Sequence, residues 1–288
     1  MDNKAYPNIK HAALLCLLFL GIQIAGGLIF GVIIGLLGYS SESLIFGLGT
    51  ILFFIISFVT VILIGFKKSG KKFNEVFLFK NVPFGIWLSV IIFMFGYVVI
   101  SSGIDNLLNY FLPMPVFLQN TFQLMLSNDY FIISVLLVGI LPAFLEEMFF
   151  RGVVLTGFIE NYSQTKAILF SALFFGLIHL NPYQFVTAFL MGLVMAYVLI
   201  KTNSILPAIY MHLFNNMLAV FVMRINGPFI IEGFNSSYGD HSFQPWWFNL
   251  IGIILAGAGA WLFFKQIKKS EPAQEPVQEA AETSDSAE

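Results

Sequence analysis

Charge is what this chain has least of. Of its 288 residues only 10% are Asp, Glu, Lys or Arg, against roughly 25% in a soluble domain, so a soluble globular protein is excluded. Cysteine is close to absent: the one residue, Cys16, rules out an intramolecular disulfide and any cysteine-rich metal site. Histidine numbers 4, and no HExxH pair places two of them on one helix in the zinc-protease pattern. What fills the chain is oil, 58% hydrophobic residues with 34 Phe, the composition of a polytopic membrane protein.

Eight apolar runs are long enough, or nearly so, to cross a hydrocarbon core of about 30 Å as helices. They cover 12–37, 44–66, 84–104, 131–159, 167–180, 185–200, 205–222 and 248–264. The fifth and sixth are short for independent spans and need neighbours or local thinning. The lysines set the topology. Lys4, Lys10, the group Lys67, Lys68, Lys71, Lys72 and Lys80, then Lys166, Lys201, Lys265, Lys268 and Lys269 fall in alternate connections. The other connections hold Arg224 against Glu42, Asp105, Asp129, Glu232 and Asp240. The positive-inside rule therefore places both termini in the cytoplasm, which requires an even number of spans. The expected fold is an all-α polytopic membrane protein of about eight transmembrane helices, with an intramembrane site open to the cytoplasm. Residues 1–269 form one transmembrane domain, with the first run read as a retained span. Residues 270–288, rich in Pro, Ala, Ser and acids, form a disordered acidic cytoplasmic tail.

Two further features concern packing. Gly27, Gly31 and Gly35, and Gly252, Ala256 and Ala260, recur at four-residue spacing. Such faces allow close helix approach, ordinarily within the bundle, alternatively in a dimer. Segment 105–129, broken by Pro113 and Pro115, is too interrupted to span and too greasy for a free loop. It reads as an element on the outer interface, with a substrate lid as the lesser alternative.

Five ionisable residues fall inside the apolar runs: Glu146, Glu147, Arg151, His179 and His212. Ionised groups in hydrocarbon cost about 3 kcal/mol each on insertion scales, so an intramembrane cluster is a functional site by default. Arg151 lies one helical turn after Glu147 and pairs with it, while Glu146 points about 100° away and is left free. Pro142 has no N–H to give, so the Val138 carbonyl is released just before the carboxylates and a bend is expected there. His212 and Asn216, four apart, share a helix face. Glu146, His179 and His212 lie 14, 13 and 11 residues from Glu160, Lys166 and Lys201. At ~1.5 Å per residue the three sit at one level, about 16–21 Å along their helices. For each group a bland reading stands beside the functional one: an architectural ion pair for Glu147 and Arg151, interhelical hydrogen bonding for His179, His212 and Asn216. Coincidence at one depth favours a catalytic site.

At these residues the chain resembles the CPBP family of intramembrane proteases, which includes type II CAAX prenyl proteases and bacteriocin-processing homologues. The family motifs EExxxR, FxxxH and HxxxN appear as Glu146-Glu147-xxx-Arg151, Phe175-xxx-His179 and His212-xxx-Asn216. The resemblance covers about 131–222. It implies an endopeptidase acting on membrane-associated protein or peptide substrates, prenylated CAAX-type proteins among the candidates. It also implies that Glu146 activates water with help from His179, that Glu147 and Arg151 order the site, and that His212 with Asn216 stabilises the oxyanion. The expected location is the plasma membrane of a bacterium, with the lipid bilayer as partner and no nucleic acid. No cofactor is favoured; the alternative is zinc held by Glu146, His179 and His212, with water in the fourth position. The rival function is a proton- or ion-coupled transporter, which would need polar groups along a route to both faces. A non-catalytic scaffold or receptor is third, and it would tolerate the loss of Glu146.

Overall fold

The computed structural model describes residues 5–39, 44–125, 131–222, 230–235 and 242–270. The acidic tail, Arg224 and three of the acids used for topology (Glu42, Asp129 and Asp240) lie outside the described residues. No strand occurs among the described residues. The helices are α1 (Ile9–Leu36), α2 (Leu44–Ser69), the single turn α3 (Phe73–Val76), α4 (Phe84–Phe111) and α5 (Val116–Met125). They continue with α6 (Phe131–Asn161), α7 (Gln164–Leu177), α8 (Pro182–Thr202), α9 (Leu206–Val222) and α10 (Trp246–Ser270).

Six of these, α1, α2, α4, α6, α8 and α10, are long and apolar enough to cross a membrane. The chain is an integral membrane protein. Two more apolar helices, α7 and α9, are shorter, at 14 and 17 residues. The sequence pattern had marked the sixth run as short, yet α8 extends over 21 residues. Its start recruits polar residues that an apolar count skips: Asn181 caps it by accepting from the Gln184 N–H at 2.8 Å, and Pro182 occupies the first turn. Helix α7 remains short, about 21 Å by rise, less than a hydrocarbon core of ~30 Å, and the turn that follows it holds Leu180 at φ 55°.

The basic connections meet at one end of the bundle. Lys71 pairs with Glu160, Lys68 lies over the Tyr6 ring at 5.7 Å, and Asn161 donates to the Ala5 carbonyl at 2.7 Å. Ser204, just past Lys201, donates to the Lys80 carbonyl at 2.5 Å. The charge asymmetry of the sequence is thus also an asymmetry in space.

Small residues divide in their use. A Cβ on Gly96 would stand 2.2 Å from the Ala256 nitrogen and 2.4 Å from the Gly252 carbonyl, so α4 and α10 touch backbone to backbone. For Gly27, Gly31 and Gly35 nothing lies within 4 Å of an added Cβ. Among the described residues nothing packs against that stripe of α1, unlike its ordinary reading. Segment 105–129 also departs from expectation at its start, because Asp105–Phe111 continues α4 as helix.

Candidate active site

The site is built on α6, which is wound unevenly. Residues Val135–Ile140 and Met148–Leu155 are π-wound, and the α-helical stretch Leu141–Glu147 lies between them. Such wide turns leave helix backbone groups without their usual partners and recur at functional sites. The Val138 carbonyl, released by Pro142, finds a partner from another helix: Asn216 Nδ2 donates to it at 2.8 Å. Asn216 Oδ1 in turn accepts from Asn215 Nδ2 at 3.2 Å. The interhelical reading of Asn216 is therefore realised, and one amide N–H is left over.

Glu147 and Arg151 are both fully buried, with Arg151 Nε 3.0 Å from Glu147 Oε2. The approach is a charge contact without hydrogen-bond alignment. The guanidinium also donates through Nη2 to the Gly192 carbonyl at 3.3 Å and lies 4.4 Å from the centre of the Phe175 ring, a cation–π contact. Gly192 also brings α8 close to α7, since a Cβ there would sit 3.0 Å from the Ala172 backbone. Around the pair, Phe149, Phe150, Val153, Val154, Leu155 and Phe158 are at most 1% exposed.

His212 on α9 joins the two carboxylates. Its Nδ1 lies 2.9 Å from Glu147 Oε1, and its Nε2 lies 4.0 Å from Glu146 Oε2. An ionised carboxylate only accepts, so Nδ1 carries the proton and Nε2 is the nitrogen turned toward Glu146. The 4.0 Å gap is too long for a direct hydrogen bond and suits an intervening water. Glu146 Oε2 itself is buried and without a hydrogen-bond partner among the described residues. The two adjacent glutamates are therefore unequal in surroundings: Glu147 is held by a cation and a hydrogen-bonded imidazole, while Glu146 has only the 4.0 Å approach of His212 Nε2.

His179 follows α7 in the short turn before α8. Its Nδ1 faces the Phe175 carbonyl at 2.9 Å. A carbonyl cannot donate, so the proton again sits on Nδ1 and Nε2 is free to accept. Phe175 stands perpendicular to both His179 and His212, with centroids 5.5 and 5.6 Å away. Its role as a wedge between three polar groups follows from its place in the FxxxH motif.

Glu146, His179, His212, Asn215 and Asn216 line one cavity of about 510 Å³. It extends along α4 past Ser101, Ser102 and Asp105 to Asn109, and is bordered by Met114, Phe122, Gly233 and Phe234. These residues belong to the end of the bundle away from the lysines. The expectation of a site open to the lysine side is thus not met by this cavity. Residue counting measured depth from that side alone, and it could not register that α7 stops short and leaves space beyond its end. Segment 105–129 contributes Asp105, Asn106, Asn109, Met114 and Phe122 to the cavity wall. Asp105 was missed as an intramembrane acid because the apolar run was ended at 104. The signal was present in the helical recurrence of Ser101, Ser102, Asp105, Asn106 and Asn109.

Glu146, His179 and His212 have donor atoms that suit zinc. Among the described residues no group of three or more His, Cys, Asp or Glu is gathered closely enough to hold a metal ion, while His212 Nδ1, engaged by Glu147, leaves its Nε2 available as a donor.

A family model described as type II CAAX prenyl endopeptidase Rce1-like matches residues 128–218. That stretch carries all three motifs, from Glu146 to Asn216. No curated protein and no solved structure matches the chain.

Proposed function

We propose that this chain, which over residues 128–218 belongs among the CAAX-type endopeptidases of the CPBP family, hydrolyses peptide bonds of membrane-associated proteins or peptides by metal-free glutamate catalysis. The observation that carries the reading is the array at the cavity floor: Arg151, Glu147, His212 and Glu146 in sequence, with Glu146 on the cavity lining and its Oε2 without a hydrogen-bond partner among the described residues. Glu146 takes a proton from water, and the hydroxide oxygen adds to the substrate carbonyl carbon. His179 Nε2 accepts from the same water and holds it. The oxyanion is met by the remaining Asn216 N–H and, when His212 is imidazolium, by its Nε2–H. Glu146 then returns its proton to the amide nitrogen as the C–N bond breaks. General-base catalysis of this kind contributes about 10²–10⁴-fold.

The transporter reading needs a polar path to both faces. Beneath Glu147 the packed aromatic and aliphatic floor blocks one, so the observations favour hydrolysis. The deciding experiment reconstitutes the full chain in liposomes with membrane-bound and prenylated CAAX peptides and follows cleavage by mass spectrometry. Activity lost in Glu146→Gln and indifferent to chelators supports the reading. Activity that needs one stoichiometric zinc, lost with the metal in His212→Ala, would replace it with a metalloprotease. The orientation belongs to the same proposal: the lysine end faces the cytoplasm, in a bacterial plasma membrane, and the cavity faces away. Labelling of a cysteine placed in the Lys67–Lys80 loop, in a Cys16→Ala background, should occur from the cytoplasmic side only; labelling from outside would reverse it.

A further inference from the structure

The connection from α2 to α4 carries Lys67, Lys68, Lys71, Lys72 and Lys80 against one acid, Glu75. Lys71 pairs with Glu160, while Lys67, Lys68, Lys72 and Lys80 are exposed. Interleaved with them are three phenyl rings that are also exposed: Phe73 by 48%, Phe79 by 40% and Phe84 by 78%. Phe73 and Phe79 stack, with ring centres 6.0 Å apart. The connection is nevertheless held firmly. Glu75 accepts from the Lys72 N–H at 2.8 Å and closes the turn of α3. Val76 and Phe77 are at most 2% exposed, and a Cβ on Gly152 would stand 2.7 Å from the Phe77 ring. The Leu78 carbonyl accepts from the Ile205 N–H at 3.1 Å, and the Lys80 carbonyl from Ser204. Contacts to α6 and to the start of α9 thus fix the segment, and its lysines and rings stay outward.

The same pairing of ammonium and ring recurs at this end of the bundle. Lys166 lies 5.0 Å from the Tyr162 ring, Lys265 5.1 Å from Trp261 and Lys201 5.8 Å from Tyr197. Aromatic rings beside lysines mark the level where acyl chains give way to headgroups. An acidic soluble peptide would match the lysines and leave the rings of Phe73 and Phe79 in water. An anionic phospholipid matches both, with phosphate for the ammonium groups and glycerol and upper acyl carbons for the rings. We propose that residues 67–84 form a docking surface for anionic phospholipid, its phosphate held by Lys67, Lys68, Lys72 and Lys80 and its upper acyl chain laid on Phe73 and Phe79. The inference goes beyond the peptidase reading and does not depend on it, since the surface lies at the end of the bundle away from the cavity.

The test is native mass spectrometry of the full chain released from detergent, with phosphatidylglycerol or phosphatidylcholine titrated in. A lysine near anionic lipid is worth about fivefold in binding, so four should favour phosphatidylglycerol by about tenfold or more. Replacing Lys67, Lys68, Lys72 and Lys80 by Gln should remove the preference. Replacing Lys265, Lys268 and Lys269 of α10 by Gln should leave most of it. Phe73→Ala with Phe79→Ala should weaken binding of both lipids several-fold and keep their ratio. Hydrogen exchange on the same proteins should show phosphatidylglycerol slowing residues 71–82 in the wild type and not in the four-lysine variant. Equal affinity for the two lipids, or a preference that the α10 substitutions remove as fully, would overturn the proposal. Equal slowing by glycerol 3-phosphate would make this a free-anion site instead of a lipid surface. A wild type without preference that gains one when Glu271, Glu275, Glu279, Glu282, Asp285 and Glu288 become Gln or Asn would give the surface to the chain's own acidic tail.

Discussion

The floor and the roof of the cavity are made by opposite means. The floor, α6 with α9 and the end of α7, buries Glu146, Glu147, Arg151 and His212 and surrounds Glu147 and Arg151 with side chains at most 1% exposed. The roof, made of the last turns of α4, the turn at Pro113 and residues 230–235, is more exposed, apart from the buried Asn235. Hydrogen bonds onto the Gly233 carbonyl, the Met114 N–H and the Pro113 carbonyl tie it to its surroundings. Close-packed interiors hold reacting groups to sub-ångström precision because they have few alternative arrangements. Sparsely bonded segments open at low cost. The division assigns positioning of the chemistry to the floor and admission of the substrate to the roof.

The largest expected effect tests whether the floor does chemistry at all. Glu146→Gln keeps shape and hydrogen-bonding size and removes the proton acceptor. Turnover should fall by about 10²–10⁴-fold while the melting temperature stays near that of the wild type. A variant that cleaves at the wild-type rate would end the role of Glu146 as the base. Next comes the floor's own integrity. Glu147→Gln leaves Arg151 buried beside a neutral amide, and breaking a buried pair from one side costs about 3–5 kcal/mol. Thermal unfolding in detergent should show the loss. Equal destabilisation by Glu146→Gln would erase the distinction between the two carboxylates.

The floor was readable in the sequence and the roof was not. Three spaced motifs and a proline named Glu146, Glu147, Arg151, His179, His212, Asn216 and the freed Val138 carbonyl, because helical periodicity converts spacing into contact. The structure gives that carbonyl a partner in Asn216 and pairs Glu147 with Arg151. It also turns His212 toward Glu147, which no spacing rule could supply for residues on separate helices. The roof depends on where α7 stops and on backbone groups such as the Gly233 carbonyl, to which the sequence offers no periodic guide. Hydropathy alone misjudged α8 for a related reason: its first turn is polar and capped, so it is helix without being apolar.

An intermediate effect belongs to Asn216, which stands where floor meets roof. Its amide fixes the Val138 carbonyl and has one N–H to spare for a developing oxyanion. If that N–H serves the transition state, Asn216→Ala should lower kcat by about 10²–10³-fold with KM nearly unchanged. If the residue only ties α9 to α6, the variant should lose stability by ~1–2 kcal/mol with kcat little altered. Measuring kcat, KM and melting temperature on one preparation decides between them.

The smallest expected effect is the one most particular to the roof. Asn106 Nδ2 donates to the Gly233 carbonyl at 2.8 Å, and Ser102 reaches the same oxygen at 3.3 Å. Together they hold segment 230–235 against α4 and place Phe234 along the cavity. Gly233, at φ +68°, adopts a left-handed conformation that other residues resist. A Cβ there would stand 2.5 Å from the Gln244 nitrogen, so the segment has little freedom to find a new seat. Asn106→Ala removes one neutral hydrogen bond, about 0.5–1.5 kcal/mol, and Ser102 still holds the carbonyl in part. That energy is local to the roof, so the global melting temperature should barely move. On the proposed reading this segment borders the substrate's cavity, so its loosening should appear in KM, by about two- to tenfold for the same energy, with kcat held by the untouched floor. A fall in kcat as deep as that of Glu146→Gln, at constant KM, would mean that the roof positions reacting groups after all, and the division between the two halves of the cavity would fail.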